Sequence, residues 1–93
     1  MKDLRVLVLG GMGFIGSHLS EDLVNSGDDV IIVSRSNQKL RNILNILHKV
    51  KIEYGDITDF KWLEETIVKY QPDVIFHLAG QLTHYESFEN PLY

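Results

Sequence analysis

The amino-acid sequence predicts an α/β fold, the first βαβαβαβ half of a doubly wound parallel sheet. Three observations carry this. The apolar runs "RVLVL" (Arg5–Leu9) and "VIIV" (Val30–Val33) are continuous rather than alternating, as in strands covered on both faces. Between the runs lie stretches with apolar residues at helical spacing, so strands and helices take turns along the chain. Gly10, Gly13 and Gly16 stand three apart where the first strand hands over to the first helix.

Each element has its own signature. Arg5–Leu9 reads as a buried strand, rich in valine and leucine and ended by glycine. Phe14–Asn25 reads as a helix with Ile15, Leu19 and Leu23 on one face, and Gly27 just past its end suits a C-terminal cap. Val30–Val33 is a β-branched second strand. Asn37–His48 is expected to be the second helix, with Leu40, Ile43, Leu44 and Leu47 at helical spacing. Lys51–Tyr54 forms a short third strand. Thr58 or Asp59 suits the N-cap of a third helix running to about Tyr70. Phe60, Leu63 and Ile67 would face inward there, and Pro72 ends it. Asp73–Leu78, "DVIFHL", is the fourth strand. Right-handed crossovers then put helices on both sides of the sheet. A ligand crevice is expected at the carboxyl ends of the strands.

Composition narrows the function. A chain of 93 residues makes one small domain or part of a larger one. The net charge of −4 argues against general nucleic-acid binding. The absence of cysteine excludes a disulfide framework, a thiolate metal site and a cysteine nucleophile. It is compatible with the cytoplasmic setting expected here. The early apolar run is too short for a signal peptide or a membrane span, so no membrane partner is expected. The four histidines share no metal-ligand spacing, and no metal is expected.

The glycines suit phosphate. Gly10 can take the tight turn out of the strand. Gly13, lacking a Cβ, lets a pyrophosphate approach the backbone. Gly16 lets the helix pack closely on the sheet. The helix start offers unpaired N–H groups and the positive end of the dipole. Gly11, Gly13 and Gly16 also fit G-x-G-x-x-G, in its required setting after a strand and before a helix. A glycine-rich turn without a ligand is the plainer alternative. Dinucleotide folds usually end the second strand with Asp or Glu, which binds the ribose hydroxyls. Here that end reads "IIVSRS", with Ser34 at the carboxylate's place and Arg35 next; Asp28 and Asp29 stand at the other end. A hydroxyl beside a guanidinium suits a 2′-phosphate, so of NAD and NADP the sequence leans to NADP. Otherwise Arg35 is a solvated loop cation.

"GGMGFIGSHL", "GDITD" (Gly55–Asp59) and "PDVIFHLAGQ" (Pro72–Gln81) together resemble the N-terminal part of the extended short-chain dehydrogenase/reductase family. The closest group is the NAD(P)-dependent sugar-nucleotide epimerases and dehydratases. The resemblance implies a Rossmann-like sheet, a nicotinamide cofactor, a nucleotide-sugar substrate and a homodimer at full length. It counts Phe14 and Ile15 of the first motif among the cofactor contacts. Asp56 and Ile57 would flank the adenine. Leu78, Ala79 and Gly80 would lie against the adenosine ribose side, and Gln81 would open the loop toward substrate. "SFENPL" resembles the family's lead into its next long helix. The sequence departs from the family at Leu9, where Thr is frequent, and at Ser34–Arg35.

The family's chemistry uses a Tyr with a Lys four residues on. Here Tyr54 is followed at that distance by Thr58, Tyr70 by Val74 and Tyr85 by Glu89. No catalytic residue is therefore assigned. The expectation is that residues 1–93 form the N-terminal part of a dinucleotide-binding domain, without the catalytic and substrate-binding parts of a longer enzyme. The alternative is a non-catalytic NAD(P)-binding redox-sensor module. Other polar residues take plainer roles. His18 is read as helix surface, His77 as a satisfied core histidine and His48 as a helix-end cation, while His84 falls in the terminal loop. Trp62 is read as helix packing. Glu64–Glu65 and Lys39–Arg41 are read as solvated helix faces.

Overall fold

The structure, a computed structural model, describes residues 3–78. Its elements in order are β1 (Arg5–Leu9), α1 (Phe14–Asn25), β2 (Asp29–Ser34), a 3₁₀ segment (Leu40–Lys49), β3 (Val50–Tyr54), α2 (Phe60–Tyr70) and β4 (Val74–His77). The four strands make one sheet in the order β3-β2-β1-β4, parallel throughout. β1 lies between its two partners, with Leu7 opposite both Ile31 and Ile75.

The continuous apolar strands are explained by two separate cores. Val6, Val8, Val30 and Ile32 face Leu23 of α1 and Ile43 and Ile46 of the 3₁₀ segment. Leu7, Leu9, Ile31 and Val33 face Trp62, Leu63 and Ile67 of α2. All eight strand side chains are buried, each burial stabilising by roughly 1.5–3 kcal/mol. The chain lays β2 and β3 outward on one side of β1, crosses to the opposite face as α2, and returns on the other side as β4. That reversal puts the topological switch point between β1 and β4, where open α/β sheets hold ligands.

Local signals set the helix ends. After α1 the Gly27 N–H donates to the Val24 carbonyl (3.0 Å) and the Asp28 N–H to the Leu23 carbonyl (3.1 Å). Gly27 takes φ 92°, the left-handed residue this Schellman cap requires. Of the two expected caps for α2, Asp59 serves: its carboxylate accepts the Trp62 N–H at 3.2 Å. Asp56 performs the same service for Thr58 in the turn before it (2.9 Å).

Two expectations are corrected. The second helix begins at Leu40, not Asn37, and is a 3₁₀ segment broken at Ile43 (φ −123°, ψ 17°). The Ser36 hydroxyl accepts the Gln38 N–H (3.3 Å), and such local bonding competes with helix formation. The break turns Ile43 and Ile46 inward and leaves Leu44 exposed. Phe60 is also exposed rather than buried. Trp62 takes its place, because Gly55 has no side chain and the indole packs into the space a Cβ would occupy.

Candidate functional site

The turn out of β1 separates three glycines by what each does. Gly10 has φ 88° and donates its N–H to the Val33 carbonyl (2.9 Å), keeping the turn tied to β2. Gly16 is buried, and a Cβ there would overlap the Gly10 carbonyl oxygen and lie 2.8 Å from Gly11 Cα. Gly13 differs. It is the N-cap of α1, with φ −69° and ψ 177°, a conformation open to any residue. A Cβ there would meet only the Gly10 oxygen, at 3.6 Å. The fold thus needs glycine at 10 and 16, and does not need it at 13. Gly13 supplies no side-chain cap, and the first turn of α1 holds no acidic residue. The first N–H groups of a helix lack intrahelical partners and carry its positive end, so this end can take an anion.

A cleft of about 670 Å³ opens at the carboxyl ends of the strands. Gly10, Gly13, Ser34, Arg35, Ile57 and Leu78, all expected from the sequence, line it. Met12, Ser36, Gln38, Lys39 and Gly55 line it too and were missed. Lys39, expected on a solvated helix face, belongs to the turn at the cleft instead, because the 3₁₀ segment starts at Leu40. No acidic side chain lines the cleft among the described residues.

Other predicted residues stand elsewhere. Phe14 and Ile15 point to solvent on the first turn of α1, the Phe14 ring edge-on to His18 at 4.9 Å. Asp56 is exposed, with its carboxylate accepting the Thr58 N–H (2.9 Å) and hydroxyl (2.7 Å). Those two bonds, and after them the positive charge of Arg35, hold its pKa below the usual carboxylate value. The Ser34 hydroxyl donates to the Ser36 carbonyl (2.7 Å), which leaves its oxygen as an acceptor. The cations Arg35 and Lys39 are then the charged donors on this wall. His77 is half-buried on β4, opposite Leu9. Ala79, Gly80, Gln81, His84 and the "SFENPL" stretch lie outside the described residues. Among the described residues no helix is long and apolar enough to cross a membrane.

The UDP-glucose 4-epimerase of Mycoplasma genitalium is 37% identical over 90 residues, covering 95% of this chain and 26% of that protein. The crystal structure of UDP-glucose 4-epimerase with UDP-glucose from Thermotoga maritima superposes with a TM-score of 0.74 at 33% identity, covering 84% of this chain and 25% of that one. That of the Bordetella bronchiseptica enzyme WbmG in complex with NAD gives a TM-score of 0.75 at 25% identity, covering 87% and 26%. The chain therefore spans about a quarter of the length of these relatives. The sequence profile of GDP-mannose 4,6 dehydratase matches residues 7–93. With its motifs, parallel sheet and glycine turn in agreement, the chain belongs to the GDP-mannose 4,6 dehydratase family, within the epimerase and dehydratase group that its motifs resemble.

Proposed function

We propose that the cleft binds the ADP end of a nicotinamide dinucleotide, with NADP preferred over NAD. The chain would then be the cofactor-holding part of a sugar-nucleotide epimerase or dehydratase-type oxidoreductase. One observation carries the reading: the fold leaves open space at Gly13 that the protein itself does not require. A pyrophosphate fits there, against the first-turn N–H groups of Phe14, Ile15 and Gly16. Gly10 and Gly16 shape the turn. Arg35 and Lys39 face the place of a 2′-phosphate, and the Ser34 oxygen can accept from a ribose hydroxyl. Asp56 and Ile57 would flank the adenine, and Leu78, Ala79 and Gly80 the ribose.

A bound cofactor of this kind supplies hydride acceptance and return. The NAD complex of WbmG supports a nicotinamide cofactor; the NADP preference rests on the two cations alone. A nucleotide-sugar substrate, a homodimer and a cytosolic setting complete the reading. Proton transfer is assigned to none of these residues, since no Tyr here has Lys four positions on.

Calorimetric titration with NADP and NAD tests this. The reading expects both to bind, NADP at least tenfold tighter. With a protein that carries this chain at its relatives' full length, no binding of either would end the dinucleotide reading. Equal affinity, or tighter NAD, would end the NADP preference and make Arg35 and Lys39 surface charges.

A further inference from the structure

Gln38 and Lys39 line the cleft, and the 3₁₀ segment that follows them reaches back to the glycine turn. Asn42 Nδ2 donates to the Met12 carbonyl oxygen at 2.9 Å, across thirty residues of sequence. The Met12 side chain is itself buried, in the same core as Ile43 and Ile46. The next N–H, that of Gly13, donates to the Gly10 carbonyl (3.2 Å). Both ends of the Met12–Gly13 peptide are thus tied, the oxygen to Asn42 and the N–H within the turn. A peptide is planar, with its C=O and N–H on opposite sides. If the oxygen were released, the plane could rotate and present a carbonyl dipole to any anion held at Gly13. Two like-signed groups would then face each other where the fold otherwise offers N–H donors.

We infer that Asn42 is a positioning residue: it holds the Met12 carbonyl off the phosphate-binding space and so keeps the glycine turn receptive to a pyrophosphate. The inference rests on the dinucleotide reading above. It deepens that reading by making pyrophosphate affinity depend on one amide outside the glycine motif. It also joins the two walls of the cleft, because the segment that carries Asn42 follows directly on Lys39.

The same segment supplies the control. Asn45 Nδ2 donates to Glu21 Oε2 of α1, also at 2.9 Å. Both amides tie the 3₁₀ segment to its neighbours, but only Asn42 touches the turn. A merely structural role predicts similar consequences for the two.

ADP-ribose, which carries the pyrophosphate without the nicotinamide, is titrated by calorimetry into a parent protein that carries this chain at its relatives' full length, and into its Asn42→Asp, Asn42→Ala and Asn45→Ala variants. Melting is followed for each. Asn42→Asp keeps the shape, removes the donor and sets a carboxylate oxygen against the Met12 carbonyl. The expected result is a loss of about tenfold or more in affinity for Asn42→Asp and a smaller loss for Asn42→Ala. Asn45→Ala should stay within twofold of the parent, whatever it loses in melting temperature. If Asn42→Asp does not fold, the comparison of Asn42→Ala with Asn45→Ala decides alone. Affinity within twofold of the parent in the Asn42 variants, or equal losses at both positions, overturns the inference while the dinucleotide reading stands. Failure of the parent to bind ADP-ribose overturns both.

Discussion

The two walls of the cleft are built on opposite principles. The turn from Gly10 to Gly16 is made of backbone: it is partly buried, its side chains are missing where something must approach, and its contacts allow little variation. The exit of β2, from Ser34 to Lys39, is made of exposed polar and charged side chains in a turn held by serine hydroxyls. The walls stand on neighbouring strands, joined by the Gly10 N–H to the Val33 carbonyl. The difference teaches a division of labour. N–H groups at a helix start donate to any phosphate, so in the proposed reading the first wall would supply affinity without much choice. Charged side chains distinguish a 2′-phosphate from a hydroxyl, so in the proposed reading the second wall would supply the choice.

The largest expected effect falls on the backbone wall. Gly16→Val places a branched side chain where even a Cβ overlaps the Gly10 carbonyl. Overpacking of this severity costs about 3 kcal/mol or more, a large part of the roughly 5–10 kcal/mol that holds a small domain together. Circular dichroism with urea unfolding should find a steeply lowered midpoint. A native-like midpoint would mean that the turn is softer than its contacts suggest.

The side-chain wall should respond in affinity instead. Removing Arg35 or Lys39 as alanine should weaken NADP about tenfold and leave NAD within twofold, with melting unchanged, since both side chains are exposed. Equal losses for the two cofactors would show that these cations serve the pyrophosphate, and the division between the walls would fail.

The smallest effect is a pH dependence from the contact between β3 and α2. Glu53 of β3 accepts from the Tyr70 hydroxyl and from Lys69 Nζ of α2. The Tyr70 bond first, then Lys69, hold the Glu53 pKa below its ordinary 4.5. Its contribution to stability is therefore present above pH 4.5 and is lost as the pH falls through the lower folded-state value. Lys69 and Tyr70 are both raised, chiefly by their bonds to Glu53. Their contributions are complete below their ordinary values of 10.5 and 10.0 and fade as the pH rises past them. The melting temperature should fall on both sides, and Tyr70→Phe should flatten both limbs at a cost of about 1 kcal/mol. Cofactor affinity at neutral pH should not change, which separates this staple from the cleft.

The two walls were also unequally legible in the sequence. Steric demands are written in residue identity: only glycine meets the φ of Gly10 and the contact at Gly16, so the first wall could be read one residue at a time. The strands were legible for a similar reason, since burial on both faces requires uninterrupted apolar runs. The second wall depends on where a helix begins. The Ser36 hydroxyl shifted that start from Asn37 to Leu40, and with it Lys39 moved from a solvated face to the cleft. Helical spacing alone could not reveal the shift, because the apolar residues of the 3₁₀ segment fit either phase until the break at Ile43. Asn42 was invisible in the same way, since its bond to Met12 exists only after the segment has docked. Phe60 misled because its spacing matches Leu63 and Ile67, whereas the space freed by Gly55 admits Trp62.

The most direct test of the account is Gly13→Val, measured by calorimetry with NADP beside a melting curve. A Cβ at Gly13 would meet nothing beyond its chain neighbours closer than 3.6 Å, and exchanging an N-cap glycine for valine costs only about 1 kcal/mol. The account predicts a folded, cooperatively melting chain whose NADP affinity has dropped about a hundredfold or more. A folded variant that binds NADP as tightly as the parent would contradict it, because the space at Gly13 would then hold no phosphate.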